Sequence, residues 1–301
     1  MIKKVLYFGN PAYLKFRNEQ LLIESDADDQ ESGQRSVPVE DIGLVILDHS
    51  QITITQVTIA KLLENNAALI TCDATHHPVG MMLNLDGNTL QSQKHQVQVD
   101  ASQPLKKQLW QQTVTAKIRN QAALLKKEKA PSGYLESLAE KVKSGDSENA
   151  EAKAAAYYWK RLFPDFLDFS RSRYGPPPNN LLNYGYAILR ALVARALVSS
   201  GLLPTLGIFH RNQYNAYCLA DDIMEPYRPY VDQVVCQIVR MNGKFLEMTA
   251  SMKKDLLSIP AMDVVLQGRK SPMMNAVSRT TASLVACFEG ESRKILYPEL
   301  V

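Results

Sequence analysis

The chain has 301 residues, 46% of them hydrophobic and 22% charged, an ordinary globular composition with length for one large domain or two. Its net charge of +3 conceals a split: residues 1–95 carry 7 Lys and Arg against 12 Asp and Glu, and residues 96–301 carry 27 against 19. The longest apolar run, near residues 191–203, is broken by Arg195, and Asn10, Pro11, Lys15 and Arg17 interrupt the basic start, so neither a bilayer span nor a secretory leader is expected.

The first ninety or so residues read as β-rich. KKVLYF, YLKFRN and QLLIES are short, aromatic and branched, and are punctuated by Gly9-Asn10-Pro11 and Arg17-Asn18-Glu19. GLVILD, AALITCD and GMMLNL continue the pattern, with one short helix expected over TQVTIAKLLENN. DADDQESGQRS reads as an exposed hairpin tip, and residues 86–100 as a polar connector.

From Gln103 the period lengthens. Leu105, Leu109, Val114, Ile118, Ala122 and Leu125 recur at near-helical spacing, with basic residues between them and Pro104 in the first turn. ESLAEKVKSGD, NAEAKAAAYYWKRLF, NLLNYGYAILRALVARALVSSG and YVDQVVCQIVRMNG are further predicted helices, and SRSRYGPPPNN a break that no helix crosses. The expected architecture is α+β: a small β-rich N-terminal domain, residues 1–95, followed by a larger all-α domain, residues 96–301. The basic excess of the second hints at a polyanionic partner, although an ordinary solvated helical surface explains it equally well.

No GxxxxGK[ST], GxGxxG, HExxH or GxSxG pattern occurs, which argues against the nucleotide, zinc-protease and serine-hydrolase sites those motifs build. Cys72, Cys218, Cys236 and Cys287 are far apart, against a paired-cysteine metal or redox site and in keeping with a reduced, cytoplasmic setting. His49, His76, His77 and His95 sit in polar, turn-like text. His210 differs: it follows the apolar run Leu206-Gly207-Ile208-Phe209 and precedes Asp221, Asp222 and Glu225. Carboxylates with one imidazole suit Mg²⁺ or Mn²⁺ better than structural zinc. Pro226 implies that a helix starts or kinks at Glu225. A third acid could come from Glu151, at the head of a run of small residues, or from Glu148; a first-turn glutamate favoured by the helix dipole reads equally well there.

SGDSENAEAKAAAYYWKRLF, NNLLNYGYAILRALVARAL and GLLPTLGIFHRNQYNAYCLADDIMEPYRP together resemble the CRISPR-associated adaptation integrase–endonucleases, the Cas-one family, and LDHSQITITQ, LLENNAALITCD and PVGMMLNLDGN resemble its β-domain. The compact length and the DDIMEPYRP wording are most similar to the type II form. The resemblance implies a metal-dependent DNA endonuclease and integrase that joins 3′-hydroxyl ends of a short captured duplex to the CRISPR repeat in antiviral defence. It implies Glu151, His210 and Glu225 as catalytic Mg²⁺ or Mn²⁺ ligands, with Asp221 and Asp222 as rivals for the third place. His210 could also take a proton, but a metal-bound nitrogen cannot, so ligand is the better reading. Arg211, Tyr158, Tyr184, Lys106, Lys117 and Arg119 are candidate DNA contacts, against the plainer reading of core tyrosines and solvated lysines. Implied partners are double-stranded DNA, a second copy of the chain through the N-terminal domains, a Cas-two dimer and other type II CRISPR proteins, with no membrane. A stand-alone metal-dependent nuclease or a non-enzymatic DNA-binding scaffold are the alternatives.

Overall fold

In the computed structural model, residues 3–25, 35–164, 166 and 169–301 are described. The chain divides into two units, Met1–Thr89 and Leu90–Val301. The first holds β1 (Lys4–Phe8), β2 (Ala12–Arg17), β3 (Gln20–Glu24), β4 (Arg35–Pro38), β5 (Ile42–Leu47), β6 (Ile52–Ile54), α1 (Gln56–Glu64), β7 (Ala68–Cys72) and β8 (Pro78–Met82). These make two four-stranded sheets, ordered β1-β5-β7-β8 and β4-β3-β2-β6.

In the first sheet β1, β5 and β7 run parallel. A parallel sheet is covered on both faces, which is why Ile42–Leu47 is a continuous apolar run with five of its six residues buried. In the second, β2 and β3 form a hairpin through Asn18 and Glu19, both at positive φ, the conformation that matches a two-residue turn to strand twist. Leu14, Leu21, Val39, Val45, Leu62 and Leu69 form the core of this unit. The hairpin tip expected at residues 26–36 lies mostly outside the described residues; Arg35–Pro38 is strand β4, paired with β3.

The second unit holds α2 (Gln91–Asp100), α3 (Gln103–Lys127), α4 (Gly133–Glu140), α5 (Ala150–Leu162), α6 (Asn179–Ser199), α7 (Cys218–Met224), α8 (Arg228–Asn242), α9 (Ala250–Leu257), β9 (Asp263–Leu266), β10 (Arg269–Pro272) and α10 (Met273–Phe288). The apolar α6 is the central post, packed by α7, α8, α9 and α10. It is long and apolar enough to cross a membrane, but 83% of that stretch is buried inside the protein, as expected of a core helix. The fold is α+β, with a β-rich N-terminal region of two sheets and a mostly helical C-terminal region.

Three details differ from the sequence reading. Residues 91–100 are helix α2 rather than connector, and a boundary at 95/96 would cut it. The C-terminal region is not all-α, because β9 and β10 form an antiparallel hairpin. The helix expected over residues 136–146 stops at Glu140; Lys143 is extended (φ −92°, ψ 164°), and Gly145 and Asp146 then adopt positive φ on the way to α5.

Candidate active site

The start of α5 sets Glu151. The Asp146 carboxylate, on the second residue of the left-handed pair Gly145–Asp146, accepts the backbone amides of Ala150 at 2.7 Å and Glu151 at 3.0 Å. It thus satisfies two of the helix's orphan donors and fixes Glu151 in the first turn. Glu151 Oε1 then lies 2.7 Å from Nζ of Lys117 on α3.

Glu225 follows α7 directly. Its backbone stays helical (φ −53°, ψ −46°) despite Pro226, and residues Glu225–Tyr227 form a tight 3₁₀ turn leading into α8. Pro226 and Pro229 lack the amides that would pair carbonyls in this bend, and Asn120 of α3 supplies a donor instead, bonding Pro226 O at 2.7 Å. Glu225 Oε1 pairs with Arg228 Nε at 2.9 Å and Oε2 with Lys117 Nζ at 2.6 Å. Both pairings are ionic contacts off the angles of a hydrogen bond. Burial pushes the Glu225 carboxyl up, but the charges of Arg228 and Lys117 outweigh it and hold the group below the usual carboxylate range. Burial pulls the Lys117 ammonium down, and the charges of Glu225 and Glu151 more than restore it.

His210 is set by Asp222. The buried Asp222 carboxylate accepts from Phe209 N at 2.9 Å and His210 N at 3.2 Å, and its Oδ1 meets His210 Nδ1 at 2.5 Å. That bond commits Nδ1 and leaves Nε2 for other use. It raises the imidazole pKa against the pull of burial, and Asp222, Glu225 and Glu151 add to the rise through their charges. Trp110 of α3 stacks on Phe209 at 4.2 Å and meets His210 edge-on at 5.6 Å. Gly207 permits this turn, because a Cβ there would stand 2.4 Å from His210 O.

The rivals of these residues are engaged elsewhere. Asp221 pairs with Arg190 Nε and Asn215 Nδ2, each at 2.7 Å. Glu148 is half-exposed and pairs with Lys143. Asp222 acts on the far nitrogen of His210, not as a third carboxylate beside the other two.

Two carboxylate oxygens facing one positive centre, with an imidazole near enough for both charges to act on it, is a donor set suited to a hard divalent cation. Among the described residues, no three His, Cys, Asp or Glu side chains are already placed to hold a metal, and the Lys117 ammonium stands between the two carboxylates. The donor types of Glu151, Glu225 and His210 suit such a cation.

The other predicted contacts scatter. Lys117 is 9% exposed and belongs to the carboxylate pair rather than to an open DNA-binding face. Tyr158 and Tyr184 are fully buried, so neither ring offers a face to a nucleic acid. Tyr158 donates instead to Asp232 at 2.8 Å, beside Tyr186 at 2.5 Å. Arg211 is exposed, with Nη2 on Gln103 Oε1 at 2.6 Å. Arg119 is exposed and lines a recess of about 710 Å³ between α3 and the last residues of the chain. Lys106 is half-buried on the first turn of α3.

Sequence reasoning missed Asp222 as the histidine's support, Lys117 as the central cation, and Asp146 and Asn120 as props. One signal was present for Lys117: it shares a stripe with Trp110, Thr113, Val114 and Gln121, spaced by threes and fours, all buried.

The profile of the family described as "CRISPR associated protein Cas1" matches residues 5–247. The chain belongs to the Cas1 family. A Cas1 from Neisseria meningitidis serogroup C (strain 8013), named a CRISPR-associated endonuclease, is 34% identical over 304 residues, spanning 100% of this chain and 97% of its own length. Among solved structures, a casposase bound to integration product superposes with a TM-score of 0.79 at 20% identity, covering 98% of this chain and 92% of that one. A chain of a Cas6-RT-Cas1–Cas2 complex superposes with a TM-score of 0.73 at 19% identity, covering 97% of this chain and 35% of that longer one. At those identities the two structures carry the fold alone, and the Cas1 fold accounts for both regions of this chain.

Proposed function

We propose that the protein is the spacer-acquisition integrase of a type II CRISPR system, a divalent-metal-dependent DNA endonuclease and transesterase. The observation that carries this reading is the convergence of Glu151 and Glu225 on one cation position beside a histidine braced by Asp222, in a chain of the Cas1 family. The casposase's integration product and the Cas2 of the second complex belong to those relatives; they favour, for this chain, strand joining and a Cas-two partner.

In this reading the 3′-hydroxyl of a short captured duplex attacks a phosphodiester at the repeat boundary and gives up its proton to solvent, while the displaced 3′-oxygen leaves with the bonding pair and takes a proton from solvent. Glu151, Glu225 and His210 Nε2 would hold Mg²⁺ or Mn²⁺, and the chemistry such an ion would supply is neutralisation of charge on the reacting oxygens. Arg228 keeps Glu225 from turning away, and Asp222 keeps the His210 ring aimed. Arg211, exposed beside His210, has the planar fork that matches phosphate oxygens. Lys106 and Arg119 lie along α3, where a duplex backbone would meet further positive charge. The acidic unit, residues 1–89, is the dimerisation region, and two such dimers flank a central Cas-two dimer.

The test is a joining assay with the purified protein, its small partner, a duplex with 3′-hydroxyl ends and a supercoiled plasmid carrying a repeat, in Mg²⁺ or Mn²⁺. Joined products at the repeat edge, lost in Glu151→Ala, His210→Ala and Glu225→Ala, are expected. Metal-dependent nicking without joining would replace the proposal with a stand-alone nuclease. DNA binding without chemistry, unchanged by the three substitutions, would replace it with a scaffold.

A further inference from the structure

We infer that Lys117 is the resident counter-cation of this site, holding the Glu151–Glu225 carboxylates in register until a divalent ion displaces it, and thereby setting the metal affinity. The inference rests on the metal-site reading of the two glutamates.

The geometry leaves little alternative use for the side chain. Its Nζ lies 2.7 Å from Glu151 Oε1 and 2.6 Å from Glu225 Oε2. A hard divalent ion would need carboxylate oxygens at roughly 2.0–2.6 Å, and the gap between these two is filled by the ammonium, so an ion held by both glutamates would have to displace it. Glu225 cannot swing away to make room, because Arg228 holds its other oxygen at 2.9 Å and the side chain is 6% exposed. The movable member is the lysine, with its flexible four-carbon stem. An opening exists on the Glu151 side, where that side chain is 22% exposed.

The counter-charge has a reason to be there. Two facing carboxylates, one of them deeply buried, repel each other without a cation between them, and stripping one partner from a buried ionic cluster is strongly destabilising. An ammonium keeps the metal-free protein folded with its donors already in place. It also sets a threshold: a singly charged ion gains little by replacing a singly charged ammonium, whereas a divalent ion adds attraction to both carboxylates.

The test uses the full-length protein and Mn²⁺ as the probe. Reductive methylation of lysines is followed by mass spectrometry, first in chelator and then in saturating Mn²⁺, with exposed Lys107 as internal reference. Lys117 labelling should be slow in chelator and rise at least ~5-fold with Mn²⁺, while Lys107 is unchanged, as expected of a buried ion-paired amine that is released. In parallel, Lys117→Met should melt lower than the native protein in chelator and bind Mn²⁺ at least ~10-fold more tightly by calorimetry, since a repelling unit charge has been removed. Mn²⁺ binding with unchanged Lys117 labelling would overturn the inference and leave the metal reading intact. Mn²⁺ binding by neither protein would overturn both. Where Lys117→Met fails to fold, the labelling of the native protein decides alone.

Discussion

Asp222 and His210 form the most constrained pair in the site: one buried carboxylate takes the imidazole at 2.5 Å, the backbone amide of the same residue at 3.2 Å and the amide before it at 2.9 Å. Rotation of the ring would forfeit its bond to the same carboxylate that anchors the turn carrying it. Asp222→Asn keeps the shape but removes the charge and one acceptor. Loss of such a partner weakens metal affinity by about 10–100-fold, to be read as Mn²⁺ affinity by calorimetry, with His210→Ala as the limiting case. Unaltered affinity would sink the assignment of Nε2 to the metal.

Gly207 is the hinge of the same turn. An alanine methyl would lie 2.4 Å from His210 O and 2.8 Å from Asp222 Oδ2, and the latter already accepts from Phe209 N. Gly207→Ala should destabilise the protein by about 1–3 kcal/mol, as overpacking does, and depress strand joining beyond that loss. Chemical denaturation alongside the joining assay measures both.

Asp146 supports Glu151 from outside the helix. Asp146→Ala releases the amides of Ala150 and Glu151, and loss of such a cap costs about 0.5–2 kcal/mol. The first turn of α5 should then exchange its amide hydrogens faster, with the centre of α6 unaffected. Equal protection in both proteins would refute the capping role.

Asp232 supplies the pH dependence. Burial lifts its carboxyl to about 6, against bonds from Tyr186 and Tyr158 that pull it down. A group whose folded pKa stands above its unfolded value of 3.8 stabilises the fold when protonated. The contribution is complete below about pH 4 and is lost as pH rises through about 6. Asp232→Asn imitates the protonated form, so its gain over the native protein should grow by about 1.4 kcal/mol between about pH 5 and about pH 7.5, the upper part of a total of about 3 kcal/mol that begins near pH 4. Melting curves of the two proteins at both pH values give the double difference; a constant gap would contradict it.

The parts of the molecule legible in its sequence are those governed by local periodicity. β5 reads as a buried strand because all six of its residues except Gly43 are apolar, and α6 reads as a core helix because apolar residues surround it. The polar text at residues 91–100 hid α2, since that helix is held by an amide rather than an apolar stripe. Gln98, buried, accepts from Leu203 N and donates to the carbonyls of Leu203 and Leu206, pinning the segment that leads to Gly207. Glu151, His210 and Glu225 were legible as residue types in a motif, but not the ammonium between two of them. Lys117 reads as one of a basic series with Lys106, Lys107 and Arg119, and its burial depends on which turns of α3 face α5 and α7.

Helix α3 carries Trp110 against the histidine's turn, Lys117 between the carboxylates and Asn120 under the bend after Glu225, where it also bonds Pro298 O and Leu300 N. It works as a ruler: three unrelated contacts are indexed to one rigid rod. Each residue advances a helix by about 100° and 1.5 Å, so adding or deleting a single residue between Trp110 and Asn120 rotates one set of marks away from the other. Side-chain replacements along this rod can be absorbed one contact at a time, whereas a change in its length cannot.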